Sequence, residues 1–313
     1  MTGSASNAKL NRGAAFASMA VALVLVLLKS WASWRTGSTA LLGSLADTAL
    51  DLVASLATLA GVWIAAQPAD DAHRFGHGKA EAIAAMFQLM LISISAMGIA
   101  VRAIEQWLAG ARTGAAADGI GVSLLAMALT LLLLAWQRRV VALTGSLAIA
   151  TDQVHYQSDL LLNLAVIAAL ALDQYAGVAG ADPLFGLGIA LWLGWNAWRA
   201  SRNAIEQLMD REWPEEKRRR LLETMARHPD LHGVHDLRTR TSGNKDFAQF
   251  HVWVDPAMTV GDAHRVMDQI EARLHDEFPD VEILIHPDPD GLVDEQGMAA
   301  RDVLPHRLSG RPD

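Results

Sequence analysis

Leu124-Leu125-Ala126-Met127-Ala128-Leu129-Thr130-Leu131-Leu132-Leu133-Leu134-Ala135 is apolar on every side of the helix it would form. A helix on the surface of a soluble domain keeps a polar face, so this stretch belongs in a large core or in a bilayer. Val21 to Leu28 has the same character. Working outward, uncharged stretches recur from Ala14 to Leu28, Leu52 to Ala69, Ala82 to Val101, Gly119 to Gln137, Leu160 to Leu172 and Pro183 to Trp198. Crossing a hydrocarbon core takes about 20 mainly apolar residues in a helix. With flanks added, six spans are expected near 13–33, 39–65, 81–107, 119–140, 145–172 and 182–207. The competing reading is six buried helices of a soluble bundle, and the missing polar faces argue against it.

Composition supports a membrane chain. Its 313 residues are 52% hydrophobic and only 19% charged, against about 25% in an ordinary soluble domain. There is no cysteine, which excludes disulfides, thiolate metal ligands, iron–sulfur clusters and cysteine nucleophiles. Any bound metal must use His, Asp, Glu or backbone oxygens. A net charge of −8 argues against nucleic acid as a partner. No G-x-x-x-x-G-K-[ST] occurs, so ATP-driven pumping is not expected and the energy source should be an ion gradient.

Lys and Arg in the short loops set the expected orientation. Lys9, Arg12, Arg74, Lys79, Arg138, Arg139, Arg199 and Arg202 fall on one side, and Arg35 and Arg112 on the other. Both termini are therefore expected in the cytoplasm. The first span has no small-residue cleavage site and is expected to stay in the protein. Trp31, Trp34 and Trp107 fall near the outer interface, Trp136 and Trp198 near the inner one, and Lys29 is expected to snorkel to the interface.

The tail reads as a small α+β domain over 210–290, after a six-helix domain over 13–209 and a short cytoplasmic segment over 1–12. Pro214, Glu215 and Glu216 suit the start of a helix running to about Arg227. Strands are expected over 235–241 and 247–254 around a Ser242-Gly243-Asn244-Lys245 turn. A helix follows from Val260 to Phe278 and a strand from Val281 to Ile285. The order αββαβ is close to a split ferredoxin-like layout. Residues 291–313 show no periodicity and are expected to be disordered.

Polar residues interrupt two of the spans at equal spacing. The second carries Asp47 and Asp51, and the fifth carries His155 and Asp159. Positions i and i+4 share a helix face, so two facing helices offer four ligands. Ionisable groups in a span are costly, and polar helix glue is normally Ser, Thr, Asn or Gln. Three crowded carboxylates need a cation or protons between them. One His and three Asp suit Zn²⁺, and ligands shared by metal and proton give a direct basis for exchange. Asp152, one turn before His155, is either a further polar neighbour or a capping or solvated residue.

Two further groups could ligate. Asp70, His73 and His77 in the loop after the second span are spaced to clasp one cation, or form a solvated loop with incidental histidines. In the tail, His235 and His251 lie on adjacent strands, His286 ends the third strand beside Asp288, and His264 is near the start of the second tail helix. Convergence would give a His/carboxylate cluster; His228, His232, His275 and His306 read as surface residues.

Asp47-x-x-x-Asp51 together with His155-Tyr156-Gln157-Ser158-Asp159 resembles the cation diffusion facilitator family. Gln67-Pro68-Ala69-Asp70-Asp71, Phe75-Gly76-His77-Gly78-Lys79-Ala80-Glu81, His235-Asp236-Leu237-Arg238-Thr239-Arg240 and Ile285-His286 narrow the resemblance to its bacterial zinc/iron efflux branch. The resemblance covers about residues 8–290. It implies a homodimeric, multi-pass, six-helix antiporter of the bacterial inner membrane, not an enzyme. Such a protein expels Zn²⁺, with Cd²⁺ and Fe²⁺ as further substrates, in exchange for protons. By the same resemblance Asp47, Asp51, His155 and Asp159 form the transport site, and Asp70, His73 and His77 a loop site. His235, His251, His264, His286 and Asp288 form a binuclear cytoplasmic site at the dimer interface, and Lys79 and Asp210 a structural interlock. Zn²⁺ would be both substrate and a structural or regulatory ion. Pro287 departs from the pattern, since the best-known relative has Gln there. The alternative function is a metal-sensing membrane protein without transport.

Overall fold

In the computed structural model the described residues are 2–36, 39–109, 120–176, 181–226, 233–243, 245–290 and 302–304. The chain divides into two compact units, a helical one over 6–206 and a tail from 207 onward.

The helical unit holds six long helices: α1 (Thr2–Thr36), α2 (Thr39–Ala65), α3 (Ala80–Ala109), α4 (Ile120–Thr144), α5 (Leu147–Ala176) and α6 (Ala181–Leu208). Their order and lengths match the six expected spans; α1 starts eleven residues earlier than expected because helix continues through its polar N-terminal residues. Among the described residues, four helices are long and apolar enough to cross a membrane, within α1, α2, α3 and α4. Helix α5 carries the ionisable residues of the fifth span.

The outside of this unit is apolar. Leu27, Trp63, Ile94, Leu132, Ile167 and Leu191, one on each helix, are all exposed. In water such a surface would drive association; in lipid it is the solvated state. Trp31, Trp34, Trp107, Trp136 and Trp198 are exposed as well, as an interfacial belt requires. The inside is polar by comparison. Ser18 and Ser55 hydroxyls meet at 3.0 Å, Ser55 lies 3.0 Å from the Tyr156 hydroxyl, and Tyr156 donates to the Ser18 carbonyl at 3.2 Å. Small and hydroxylated residues let membrane helices approach closely.

Two glycines fix the frame. Gly145 has φ +66 and closes α4, donating to the Val141 carbonyl at 2.8 Å, so a residue with a Cβ is disfavoured at this corner. Ser146 then opens α5, its hydroxyl facing the Ile149 amide at 3.4 Å. Gly61 lies where α2 meets α3. A Cβ on it would sit 2.3 Å from the Ala84 Cβ and 3.2 Å from the Ala80 carbonyl oxygen. Gly61→Ala is expected to force the helices apart and cost about 1–3 kcal/mol, as overpacking does. The check is thermal unfolding of the detergent-solubilised variant, and an unchanged Tm would contradict the close approach.

The tail contains α7 (Glu215–Met225), β1 (Val234–Ser242), β2 (Lys245–Val254), α8 (Val260–Glu277), β3 (Val281–Pro289) and a short β4 (Asp302–Leu304). The sheet order is β3-β2-β1-β4, with β1 antiparallel to β2 and to β4, and β2 parallel to β3 through the α8 crossover. Ala248, Phe250, Val252 and Val254 face the helices and pack with Leu221, Met225, Met267, Ile270 and Leu274. Thr259 caps α8, its hydroxyl accepting from the Asp262 amide at 3.2 Å.

Two tail expectations change. Strand β3 runs four residues past Ile285, through Pro287 and Pro289, because it pairs with β2 as far as Val254. It is a sheet edge, where a missing N–H on the open side costs no ladder bond. Asp302–Leu304, inside the segment expected to be disordered, forms β4. The rest of 291–313 lies outside the described residues, as do His228, His232 and His306.

Candidate metal centres

The first centre joins α2 to α5. His155 is buried, and its Nε2 lies 2.9 Å from Asp51 Oδ1 and 3.9 Å from Asp159 Oδ2. One imidazole nitrogen thus faces two carboxylates, and the three donor atoms lie within 4.8 Å of one another. Helical spacing puts His155 and Asp159 on one face of α5, as expected. Asp47, the fourth expected ligand, is exposed and lies outside this trio. It sits one turn before Asp51, with three residues of helix between it and the nearest trio member. Lys29 does not simply reach for the interface: its Nζ donates to Thr48 Oγ1 at 2.6 Å, next to Asp47.

Asp152 is neither a cap nor solvated. It is fully buried, and its oxygens accept from Gln88 Nε2 at 2.8 Å and Gln137 Nε2 at 2.7 Å. These glutamines, on α3 and α4, were not among the expected site residues. Only their polar character inside apolar spans could have flagged them.

The second centre is the loop after α2. Asp70 Oδ1 accepts from the His73 amide at 2.6 Å and the Ala72 amide at 3.0 Å, a local turn that folds the loop onto its own carboxylate. His73 Nδ1 lies 3.4 Å from Asp70 Oδ1, and His77 Nε2 lies 3.3 Å from Asp70 Oδ2. His77 Nδ1 faces the Pro68 carbonyl at 3.2 Å. A carbonyl can only accept, so Nδ1 carries a proton there and Nε2 is the ring nitrogen turned toward Asp70. The His73 backbone N–H, first, holds the Asp70 carboxyl below its usual range, with the Ala72 N–H and the nearby imidazoles acting the same way.

The sign of that shift gives a prediction. A depressed carboxyl contributes its turn fully above the ordinary Asp range and loses it only as pH falls through the lowered value. Asp70→Asn keeps an acceptor for the turn but removes the charge. The variant is expected to retain amide-exchange protection at His73 near neutral pH while losing at least about tenfold in zinc affinity at the loop. Equal zinc binding would remove Asp70 from this centre.

The third centre lies on the sheet face away from α7 and α8. His235 and His251 face each other across β1 and β2, and His251 pairs with His286 across β2 and β3. Asp288 ties them together: Oδ2 lies 3.0 Å from His235 Nε2 and 2.8 Å from His251 Nδ1, and Oδ1 lies 3.1 Å from His286 Nε2. His235 stacks on Trp253, with ring centroids 4.2 Å apart. A β-bulge sets this face: Asp236 has φ +47, and the register shifts between His235 and Arg238. The extra residue lets Leu237 enter the core while His235 stays on the open face. It also places Asp236 Oδ2 3.8 Å from His251 Nε2, a neighbour the sequence spacing did not single out. Two imidazoles and a carboxylate are donors that Zn²⁺ takes, so the residues fit such an ion.

His264 does not join this cluster within the protomer. Helix α8 packs on the opposite face of the sheet through Met267, Ile270 and Leu274. His264 is 75% exposed and lies 3.8 Å from Asp268. Lys79 and Asp210 belong to different units; within the tail, Asp210 lies 3.6 Å from Arg240.

Comparison with known proteins gives a consistent result. The family profile described as the cation efflux transmembrane domain matches residues 15–209. The one described as the cation efflux protein cytoplasmic domain matches residues 213–290. The cation-efflux pump FieF of Pectobacterium atrosepticum is 43% identical over 282 residues, covering 90% of this chain and 94% of that protein. FieF of Escherichia fergusonii is 40% identical over 284 residues, covering 91% and 94%. Among solved structures, the putative zinc transporter CzrB aligns at 36% identity over 25% of this chain and 99% of that one, with a TM-score of 0.23.

Proposed function

Because this chain belongs to the cation efflux family and is a divalent metal cation efflux transporter, we propose that it exports Zn²⁺ from the bacterial cytoplasm in exchange for protons. The observation that carries the reading is the trio Asp51, His155 and Asp159, with one imidazole nitrogen facing two carboxylates inside a helical bundle. The same atoms can hold a proton or a divalent cation, and not both. Cytoplasmic Zn²⁺ displaces protons from the trio. A rocking motion of helix pairs then turns the site outward, where protons from the more acidic side displace the metal. Asp47, one turn along α2, serves as a fourth donor during this cycle. The borderline imidazole favours Zn²⁺ over hard Mn²⁺, while the carboxylates keep Cd²⁺ and Fe²⁺ as further substrates.

The protein acts as a homodimer in the inner membrane, with both termini in the cytoplasm and Lys79 and Asp210 in a structural role near the membrane surface. The tail centre holds regulatory or structural zinc at the dimer interface, which gives His264 a place in the site although it lies outside the cluster of its own protomer. Titration calorimetry of the purified protein in buffers of different ionisation enthalpy tests the shared-ligand exchange. At least one proton is expected to leave for each Zn²⁺ bound at the trio. Zinc binding without proton release would contradict the exchange.

A further inference from the structure

Buried carboxylates that the trio does not use line the helical unit on the side of the 66–79 loop. Asp152 lies three residues before His155 on α5, a rise of about 4.5 Å. Its two oxygens hold the amides of Gln88 and Gln137 from two other helices, and among the described residues no Lys or Arg pairs with it. Gln88 is 1% exposed and Gln137 is 0% exposed, and the Oε1 of each is buried without a hydrogen-bond partner among the described residues. Such an acceptor is costly to bury. It also leaves each amide held through its nitrogen, which in Gln88 makes a long 3.5 Å contact with the Ala54 carbonyl besides the bond to Asp152. An amide flip gives up the bond to Asp152, and it turns two donors into two oxygen acceptors beside the carboxylate.

The arrangement recurs nearer the loop. Glu81 is buried, accepts from Ser146 Oγ at 2.6 Å and from Asn11 Nδ2 at 3.3 Å, and the Asn11 Oδ1 is again a buried acceptor without a partner among the described residues. Asp152 lies six positions after Ser146, about 9 Å along the helix.

We propose that Asp152, Gln88 and Gln137 form a transient oxygen-only site for a divalent cation on its way from the loop side to the trio, with Glu81 and Asn11 as an outer stage. The proposal rests on the transport reading above. With no cation present the amides donate to the carboxylate. When one arrives they flip, and Asp152 with two amide oxygens replaces part of its water shell. Zn²⁺ accepts such oxygens but prefers imidazole nitrogen, so the site passes the ion on to His155. A conducting path needs binding that is favourable enough to load and weak enough to release.

Asp152→Asn tests this in proteoliposomes, because the new amide keeps the size and can still exchange hydrogen bonds with both glutamines. Zinc flux at sub-saturating zinc is expected to fall about tenfold with a raised KM, since the buried charge that attracts the cation is gone. Calorimetric zinc affinity at the trio and the Tm in detergent should stay near wild type. Asp152→Asn with Gln88→Glu returns one carboxylate to the cluster and should recover most of the flux. Wild-type flux in Asp152→Asn, or no recovery in the pair despite an unchanged Tm, would overturn the transient site. Failure of the wild-type protein to move zinc in the same vesicles would instead overturn the transport reading.

Discussion

Asp159→Ala is expected to bring zinc flux in proteoliposomes to background, and Asp51→Ala to do the same. Each removes one of the two carboxylates facing His155 Nε2. In a bundle interior the remaining polar groups keep their desolvation cost while losing the charge that helped hold the cation. Truncating one charged partner of a buried bound pair costs about 2–5 kcal/mol of binding, or about 30- to 10³-fold in affinity. The readout is a zinc-sensitive dye inside the vesicles. Because the losses come from the site rather than from unfolding, the variants should keep a single solubilised species with near wild-type Tm. Near-normal flux in both would remove the trio from transport.

The second large effect is expected in the tail. Asp288 is the common partner of His235, His251 and His286. A ligand present at a hundredfold its Kd stabilises the folded state by about 2.7 kcal/mol, which corresponds to about a hundredfold slower exchange for amides that open through that unfolding. In the full-length protein, zinc should therefore slow amide exchange in β2 and β3 about a hundredfold, and Asp288→Ala should abolish the difference. Full zinc protection in the variant would show that the sheet face does not hold the ion.

The helical architecture was readable because Leu124–Ala135 and its counterparts carry no polar face, a local property that needs no tertiary knowledge. The i, i+4 spacing of His155 and Asp159 was readable for the same reason, since one helix fixes it. What was not readable depended on partners far along the chain. Asp152 meets Gln88 and Gln137, 64 and 15 residues away, and no periodicity announces such a meeting. His264 looked like a fourth tail histidine, but its helix covers the opposite side of the sheet, which only the packing of α8 decides. The Asp236 bulge, which puts His235 on the open face, escaped a strict alternation count. The end of β3 was underestimated because Pro287 and Pro289 discourage a strand except at an edge.

The central claim is that one buried ligand set exchanges zinc for protons. Its most direct test is zinc uptake into proteoliposomes of the purified protein under an imposed pH gradient, with internal zinc and internal pH followed together. Zinc should accumulate in the vesicles whose interior is acidic, protons should leave as it enters, and a proton ionophore should abolish accumulation. Zinc movement that ignores the gradient, with no accompanying proton flux, would contradict the account.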